Sequence, residues 1–242
     1  MRLKVLGTGS HGNCYVFKPE KGKALIIDCG INFKEVKKEI SFNPALVCGA
    51  LLDHSHGDHS KYVGDFLKAG INVYMATETK KELGISSHRA KEIESMKTFC
   101  VGDFKVMPFE LKHDVFCIGF LIQHEECGRV LFLTDTVYSP YTFKNLNNIL
   151  IEANYAPEIA REKLGDKKFL YDRVIQSHMS LDTCIEFLKA NDLSQVNNIV
   201  LIHLSDGNSD EVLFREEVTK ATGKTVTVAN NGLQMELNKY PF

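Results

Sequence analysis

The chain has 242 residues, 44% of them hydrophobic and 25% charged, with a formal net charge of −2. That balance excludes a disordered or fibrous chain and the strongly basic build of a dedicated nucleic-acid binder, so any contact with nucleic acid has to come from a local patch. No apolar run approaches the roughly 20 residues needed to span a bilayer, and the opening MRLKVLGTGS lacks a signal peptide's pattern, which predicts a cytoplasmic protein.

Short β-branched runs at 2–7, 14–19 and 23–28 predict strands, and PEKGK between the last two predicts a hairpin turn. Further strands are expected at 47–53 and 71–76, separated by a helix that Ser60 caps and Gly70 stops. Residues 78–97 read as one or two polar helices, and strands follow at 104–111, 117–124, 129–135, 148–152 and 172–177. Ser180 opens a helix whose Cys184, Phe187 and Leu188 share one face; a strand at 198–203 comes next. Asn208, with Glu211 three positions on, resembles a capping box. Strands at 225–229 and 233–238, joined by a hairpin turn in ANNGL, end the pattern. Strands paired early and alternating with helices later predict sheets covered by helices, in the α/β or α+β range. With no repeat, low-complexity tract or linker, residues 1–242 are expected to form a single domain. Seven cysteines without a CxxC pair argue against a disulfide framework or zinc ribbon and read as small core residues.

The residues suited to chemistry fall where the apolar runs stop. Asp28 follows ALII, Asp53 and His54 follow GALL, Asp135 follows VLFLT, and Glu152 follows NILI. His178 follows RVIQS, His203 follows NIVLI, and His113 follows MPFELK. Loops beyond strand ends converge on one rim, so these residues can share a site although they are far apart in sequence. Within LLDHSHGDHS, His54 and His56 point to one side of an extended segment, while Asp58 and His59 turn the other way as a helix begins, so a single turn can address two metal ions. Imidazoles with a carboxylate suit zinc, manganese or iron rather than copper(I). From the chain's own composition, H-x-H-x-D-H arises by accident on the order of once in a thousand chains of this length.

This motif, preceded by IIDCG and followed by single donors at His113, Asp135 and His203, resembles the five ordered motifs of the metallo-β-lactamase-fold hydrolases. The resemblance implies an α+β fold, an αββα four-layer sandwich with a dinuclear site at one edge of its two sheets. It implies His54, His56 and His113 on one metal, Asp58, His59 and His203 on the other, Asp135 between them, and Asp28 behind the ligands, orienting their loop. GSHGNCYVF, HDVFCIGF, IEANYAPEI, SHMS and HLSDGN further resemble the small bacterial WalJ/YycJ-like phosphodiesterase or exonuclease group. Two divalent ions about 4 Å apart make a hydroxide available near neutral pH and clamp the attacked phosphate. The protein then supplies no nucleophile of its own, and His178, oriented by Glu152, is the expected proton donor to the leaving group, with Asp58 also at the reacting centre.

The remaining residues divide by setting. His11 or Asn13, in a glycine-rich turn, could donate to a phosphate, or the turn could simply join two strands. His88 and His124 read as surface residues, and Asp114 as a turn residue or one that supports the ligands from behind rather than a ligand itself. Basic residues at 80–97 and 161–173 are interleaved with glutamates and fit a solvated face at least as well as a phosphate track. The expected partner is a phosphodiester, whether single-stranded nucleic acid, a nucleotide or a smaller ester, with no membrane; oligomeric state is not indicated. The alternative is a thioesterase, lactonase or glyoxalase-type hydrolase using the same ions on a carbonyl, since fold alone does not fix substrate. A di-iron redox enzyme typically has glutamate where this chain has His56.

Overall fold

Strands that are apolar on both faces need cover on both sides, and in the computed structural model, which describes residues 1–240, two seven-stranded sheets supply it by packing face to face. The first half of the chain runs through β1 (Arg2–Gly7), β2 (Cys14–Lys18), β3 (Ala24–Ile27), α1 (Phe33–Glu39), β4 (Val47–Leu51), α2 (Gly57–Ser60), α3 (Val63–Lys68), β5 (Val73–Ala76), α4 (Thr77–Glu82) and β6 (Ala90–Ile93). The second half adds β7 (Phe99–Val101), β8 (Phe104–Leu111), β9 (Cys117–His124), β10 (Gly128–Leu133), β11 (Asn148–Glu152), α5 (Pro157–Leu164), α6 (Lys168–Ser177), α7 (Leu181–Ala190), β12 (Asn198–Ile202), α8 (Glu211–Thr222), β13 (Thr225–Val228) and β14 (Gln234–Glu236). One sheet has the order β14-β1-β2-β3-β4-β5-β6, the other β13-β12-β11-β10-β9-β8-β7.

Between the sheets lie Leu3, Phe17, Phe104, Phe120 and Phe132, all fully buried. Each such aromatic contributes about 1.5–3 kcal/mol by leaving water. Val36 of α1 and Phe66 of α3 cover the outer face of the first sheet. Phe187 of α7 and Phe214 of α8 cover that of the second. The result is the α+β, αββα sandwich. Among the described residues no helix is long and apolar enough to cross a membrane.

Strand direction decides where the site can form. β3 to β6 are mutually parallel, as are β10 to β13, and β8 runs with β10 because both are antiparallel to β9. The carboxyl ends of β3 and β4 in one sheet, and of β8, β10, β11 and β12 in the other, therefore bring Asp28, Asp53, His54, His113, Asp135, Glu152 and His203 to one rim.

Several expectations are corrected. Residues 172–177 belong to α6: β11 and β12 pair directly and leave no slot for a strand, and the short Val174–Ile175 run is equally compatible with a helix. The stretch 78–97 contains only the short α4 before the edge strand β6, whose central Lys91 and Glu92 face solvent; charge on an edge discourages further pairing and hides the strand from a hydrophobic pattern. Ser60 lies inside α2 rather than at a helix start, and Asp210, not Asn208, caps α8, accepting from the N–H groups of Val212 and Leu213 at 3.0 Å. ANNGL carries the chain from one sheet to the other instead of closing a hairpin. His124 is buried against the Phe104 ring, and Cys100 is exposed on edge strand β7.

Candidate metal centre

Gly30 and the end of β4 bring the ligand-rich turn against the first sheet. A Cβ on Gly30 would overlap the Asp58 carbonyl, so only glycine lets the chain after β3 approach so closely. That carbonyl accepts the Asn13 N–H at 2.7 Å, and Cys29 N–H donates to the His59 carbonyl at 2.7 Å. Across the rim, Asp28, Asp135 and His203 each terminate a strand with left-handed backbone, φ being 65°, 52° and 55°. Such a conformation at a non-glycine residue turns the chain abruptly.

Donor atoms gather in overlapping groups, each with its atoms within 4.8 Å of one another: His54, His56 and His113; Asp58, His59 and His203; Asp53, His54, His59 and Asp135; and Asp135, Glu152, His178 and His203. Asp135 belongs to two of these groups and lies 3.1 Å from His59 Nε2 and 3.6 Å from His203 Nε2. Every strand-end residue singled out above is therefore in one place. His178 arrives differently from expectation, as the residue that ends α6.

Partners behind the donors fix their orientation. His59 Nδ1 donates to Asp28 Oδ2 at 2.9 Å, and His113 Nδ1 to the Ser177 carbonyl at 2.9 Å. Each leaves the other ring nitrogen facing the cluster. Glu152, fully buried, sits 2.7 Å from His178 Nδ1 and 3.3 Å from His203 Nδ1 through Oε1, while Oε2 accepts the N–H groups of Thr136 and Met179 at 3.1 Å. Asn154 donates to the His203 carbonyl at 2.8 Å and fixes the strand end. The sequence reading missed Asn154 and Thr136, because an amide or hydroxyl beside a strand carries no spacing signal.

Electrostatics favour a cation here. Among the described residues, Asp28, Asp53, Asp58, Asp135 and Glu152 pair with histidines and with no lysine or arginine. Burial opposes ionisation of Asp135, yet His203 and His59 hold it well below the usual carboxylate range. Burial likewise opposes a charged His203, but Asp135, Asp58 and Glu152 push it up to about 10. His59 rises well above its ordinary value against burial, through Asp53, Asp135 and Asp28. Among the described residues, the buried Nε2 atoms of His54 and His203 have no hydrogen-bond partner. A buried ring nitrogen left without a partner is costly unless something binds it, and a divalent ion among imidazoles and carboxylates fits both atoms, taking the place of the proton on His203.

His11 and Asn13 part company. His11 is 87% exposed, 3.4 Å from Asp206 on the rim. Asn13 is fully buried, accepting from Gly9 N–H at 2.9 Å and placing Nδ2 2.9 Å from His59 Nε2, an arrangement that fits a turn joining two strands better than a phosphate contact. Asp114 approaches His56 Nε2 at 3.4 Å. A cavity of about 310 Å³ opens beside His178 and His203, walled by Leu170, Arg173, Val174, Ser205 and Asn208. The larger cleft, about 1010 Å³ between Lys105, Arg129, Asn147 and Lys239, lies at the opposite strand ends and contains none of these groups.

Comparison with known proteins agrees with this geometry. The chain is 29% identical over 226 residues to the exodeoxyribonuclease WalJ of Streptococcus pneumoniae serotype 2 strain D39, covering 86% of this chain and 83% of WalJ. It is 28% identical over 239 residues to the exodeoxyribonuclease YycJ of Bacillus anthracis, covering 91% and 88%. The crystal structure of the metallo-beta-lactamase fold protein YhfI from Bacillus subtilis superposes with a TM-score of 0.71 at 18% identity, covering 97% of this chain and 99% of YhfI. The signature of the metallo-beta-lactamase superfamily matches residues 7–178. With that signature over most of its length and the family's donor clusters assembled at one rim, the chain belongs to the metallo-beta-lactamase superfamily as a metal-dependent hydrolase.

Proposed function

We propose that this hydrolase is a two-metal phosphodiesterase acting on nucleic acid, with single-stranded DNA or RNA ends and nucleotide esters as its substrate class. His54, His56 and His113 would hold one ion and Asp58, His59 and His203 the other, with Asp135 available to both. The donor chemistry suits zinc or manganese and also accommodates iron. Metal ions held there would provide activation of a water and neutralisation of charge on the attacked phosphate. Asp28 orients His59, and Asp58 stands at the partly exposed lip of its group. The seven unpaired thiols fit a cytoplasmic setting.

The observation that carries the reading is the Glu152–His178 pair, 2.7 Å apart, with the His178 ring stacked on His203 at 5.4 Å. Burial opposes the charged imidazole, but Glu152 and then Asp135 raise His178 above its ordinary value, which favours the protonated ring. With Nδ1 occupied by Glu152, Nε2 is free to protonate an alkoxide as it departs. A carbonyl hydrolase expelling a thiolate has little use for such a donor; a nuclease expelling a sugar hydroxyl needs one. The cavity beside His178 sits at the low end of the roughly 300–1,000 Å³ range of ligand pockets, and its mixed apolar and polar walls suit a nucleoside. The test is metal analysis of the purified protein, then parallel assays on bis-p-nitrophenyl phosphate, single-stranded DNA, RNA and a thioester. Phosphodiester turnover that disappears in His59→Ala and Asp135→Ala is expected. Thioester cleavage with no phosphodiester cleavage would overturn the proposal in favour of the carbonyl alternative.

A further inference from the structure

Asp53 precedes the first histidine of the turn and is fully buried. Its Oδ1 accepts the backbone N–H of His54 at 2.6 Å and lies 2.9 Å from His54 Nδ1. Its Oδ2 lies 3.1 Å from His59 Nδ1 and has no hydrogen bond of its own, because His59 already donates to Asp28. The backbone is held on both sides: Asp53 N–H donates to Asp28 Oδ1 at 3.3 Å, and the Asp53 carbonyl accepts from Ile118 at 3.2 Å. Among the described residues, Asp53 is the only hydrogen-bond partner that His54 Nδ1 has. His54 gathers with His56 and His113, His59 gathers with Asp58 and His203, and the two imidazoles also meet around Asp53 and Asp135.

We infer that Asp53 is a positioning residue shared by the two metal positions, its two oxygens each steadying an imidazole from a different ion's ligand set. This rests on the two-metal reading above. Oδ1 holds the proton on His54 Nδ1 and so presents the buried, otherwise unpartnered Nε2 as a lone pair to the first ion. Oδ2 adds a second negative oxygen behind His59, whose Nδ1–H is shared toward two carboxylates, and this raises the donor strength of His59 toward the second ion. Among the imidazoles, Asp28 reaches only His59, its other oxygen accepting the Asp53 N–H. Removing Asp53 therefore weakens both positions, and removing Asp28 weakens one.

The experiment is titration of cobalt(II) into chelator-stripped protein, read by visible d–d absorption and by competition with a chromophoric chelator, for wild type, Asp53→Ala, Asp53→Asn and Asp28→Ala. Partners behind metal-bound histidines typically account for about 10–100-fold in affinity. Asp53→Ala is expected to lower both stepwise affinities by about that factor, and Asp28→Ala only one. In Asp53→Asn the amide oxygen stays toward His54, where two N–H donors meet it, and the NH2 replaces Oδ2 against His59. The first affinity should recover while the second stays low. An Asp53→Ala protein with either affinity at the wild-type level overturns the inference. Should Asp53→Ala fail to fold, Asp53→Asn decides: one affinity kept and one lost supports the shared role, and both kept or both lost refutes it. A wild-type protein that binds fewer than two cobalt ions overturns the two-metal reading and this inference together; two ions with unchanged variants overturns this inference alone.

Discussion

Replacing His178 by alanine separates proton donation from metal binding. His178 touches its surroundings through Glu152 at 2.7 Å and Asp135 at 3.4 Å, and it belongs to neither ligand group of three. In the variant Glu152 keeps three donors, the N–H groups of Thr136 and Met179 and the His203 Nδ1, so the buried carboxylate is not stripped. The stability loss should be about 1–3 kcal/mol, the scale of one charged hydrogen bond. Loss of a general acid lowers a rate about 10²–10⁴-fold, or about 3–5 kcal/mol of barrier, where the departing oxygen needs a proton. A dinucleoside phosphate expels such an alkoxide; a p-nitrophenyl ester expels a phenolate that leaves unaided. We expect kcat to fall by that factor on the dinucleotide and to change less than about tenfold on the p-nitrophenyl ester, with metal content by mass spectrometry equal to wild type. Equal losses on both substrates, or no loss on the dinucleotide, would refute the assigned role.

Gly30→Ala should force the 54–59 turn away from the first sheet, because the new Cβ meets the Asp58 carbonyl; about 1–3 kcal/mol of destabilisation in denaturant melts and weaker metal binding are expected, and wild-type values for both would show that the contact yields freely. Phe132→Ala, which removes a buried ring packed edge-on against Tyr15 at 5.2 Å, should cost about 3–5 kcal/mol without changing metal stoichiometry, measured by equilibrium unfolding. Stripping the metals should expose the His203 titration. Its value in the metal-free protein is pushed up to about 10, above the ordinary 6.5, so its contribution to stability is complete below 6.5 and is lost as pH rises through about 10. Metal uptake near neutrality must displace that proton, and calorimetry in buffers of different ionisation enthalpy should register its release; zero release contradicts the assignment.

Much of the site was legible because its parts are strand-terminal. Asp28, Asp135 and His203 each follow an apolar run too short to be a helix, and parallel strands bring such ends to one rim. The His54-to-His59 turn was legible from spacing alone. His178 was placed after a strand because Val174 and Ile175 resemble one, and only the direct pairing of β11 with β12 shows otherwise. Asp53 could not be assigned a role from sequence, since a carboxylate beside a histidine reads the same whether it faces solvent or supports two imidazoles. Asn13 shows the converse: a glycine-rich turn suggested a phosphate contact, while burial commits the amide to the turn and to His59. The edge strands β6 and β7 were hidden by their own charge and brevity.

The left-handed residues that close β3, β10 and β12 carry a cost of their own, about 1–2 kcal/mol for each L-residue held there. Together they approach the scale of a whole domain's net stability, about 5–15 kcal/mol. Glycine at 28, 135 or 203 would relax the chain while deleting a donor. The strain is tolerated because the same three side chains are tied to buried partners, so each turn is locked by the ion pairs it delivers to the rim.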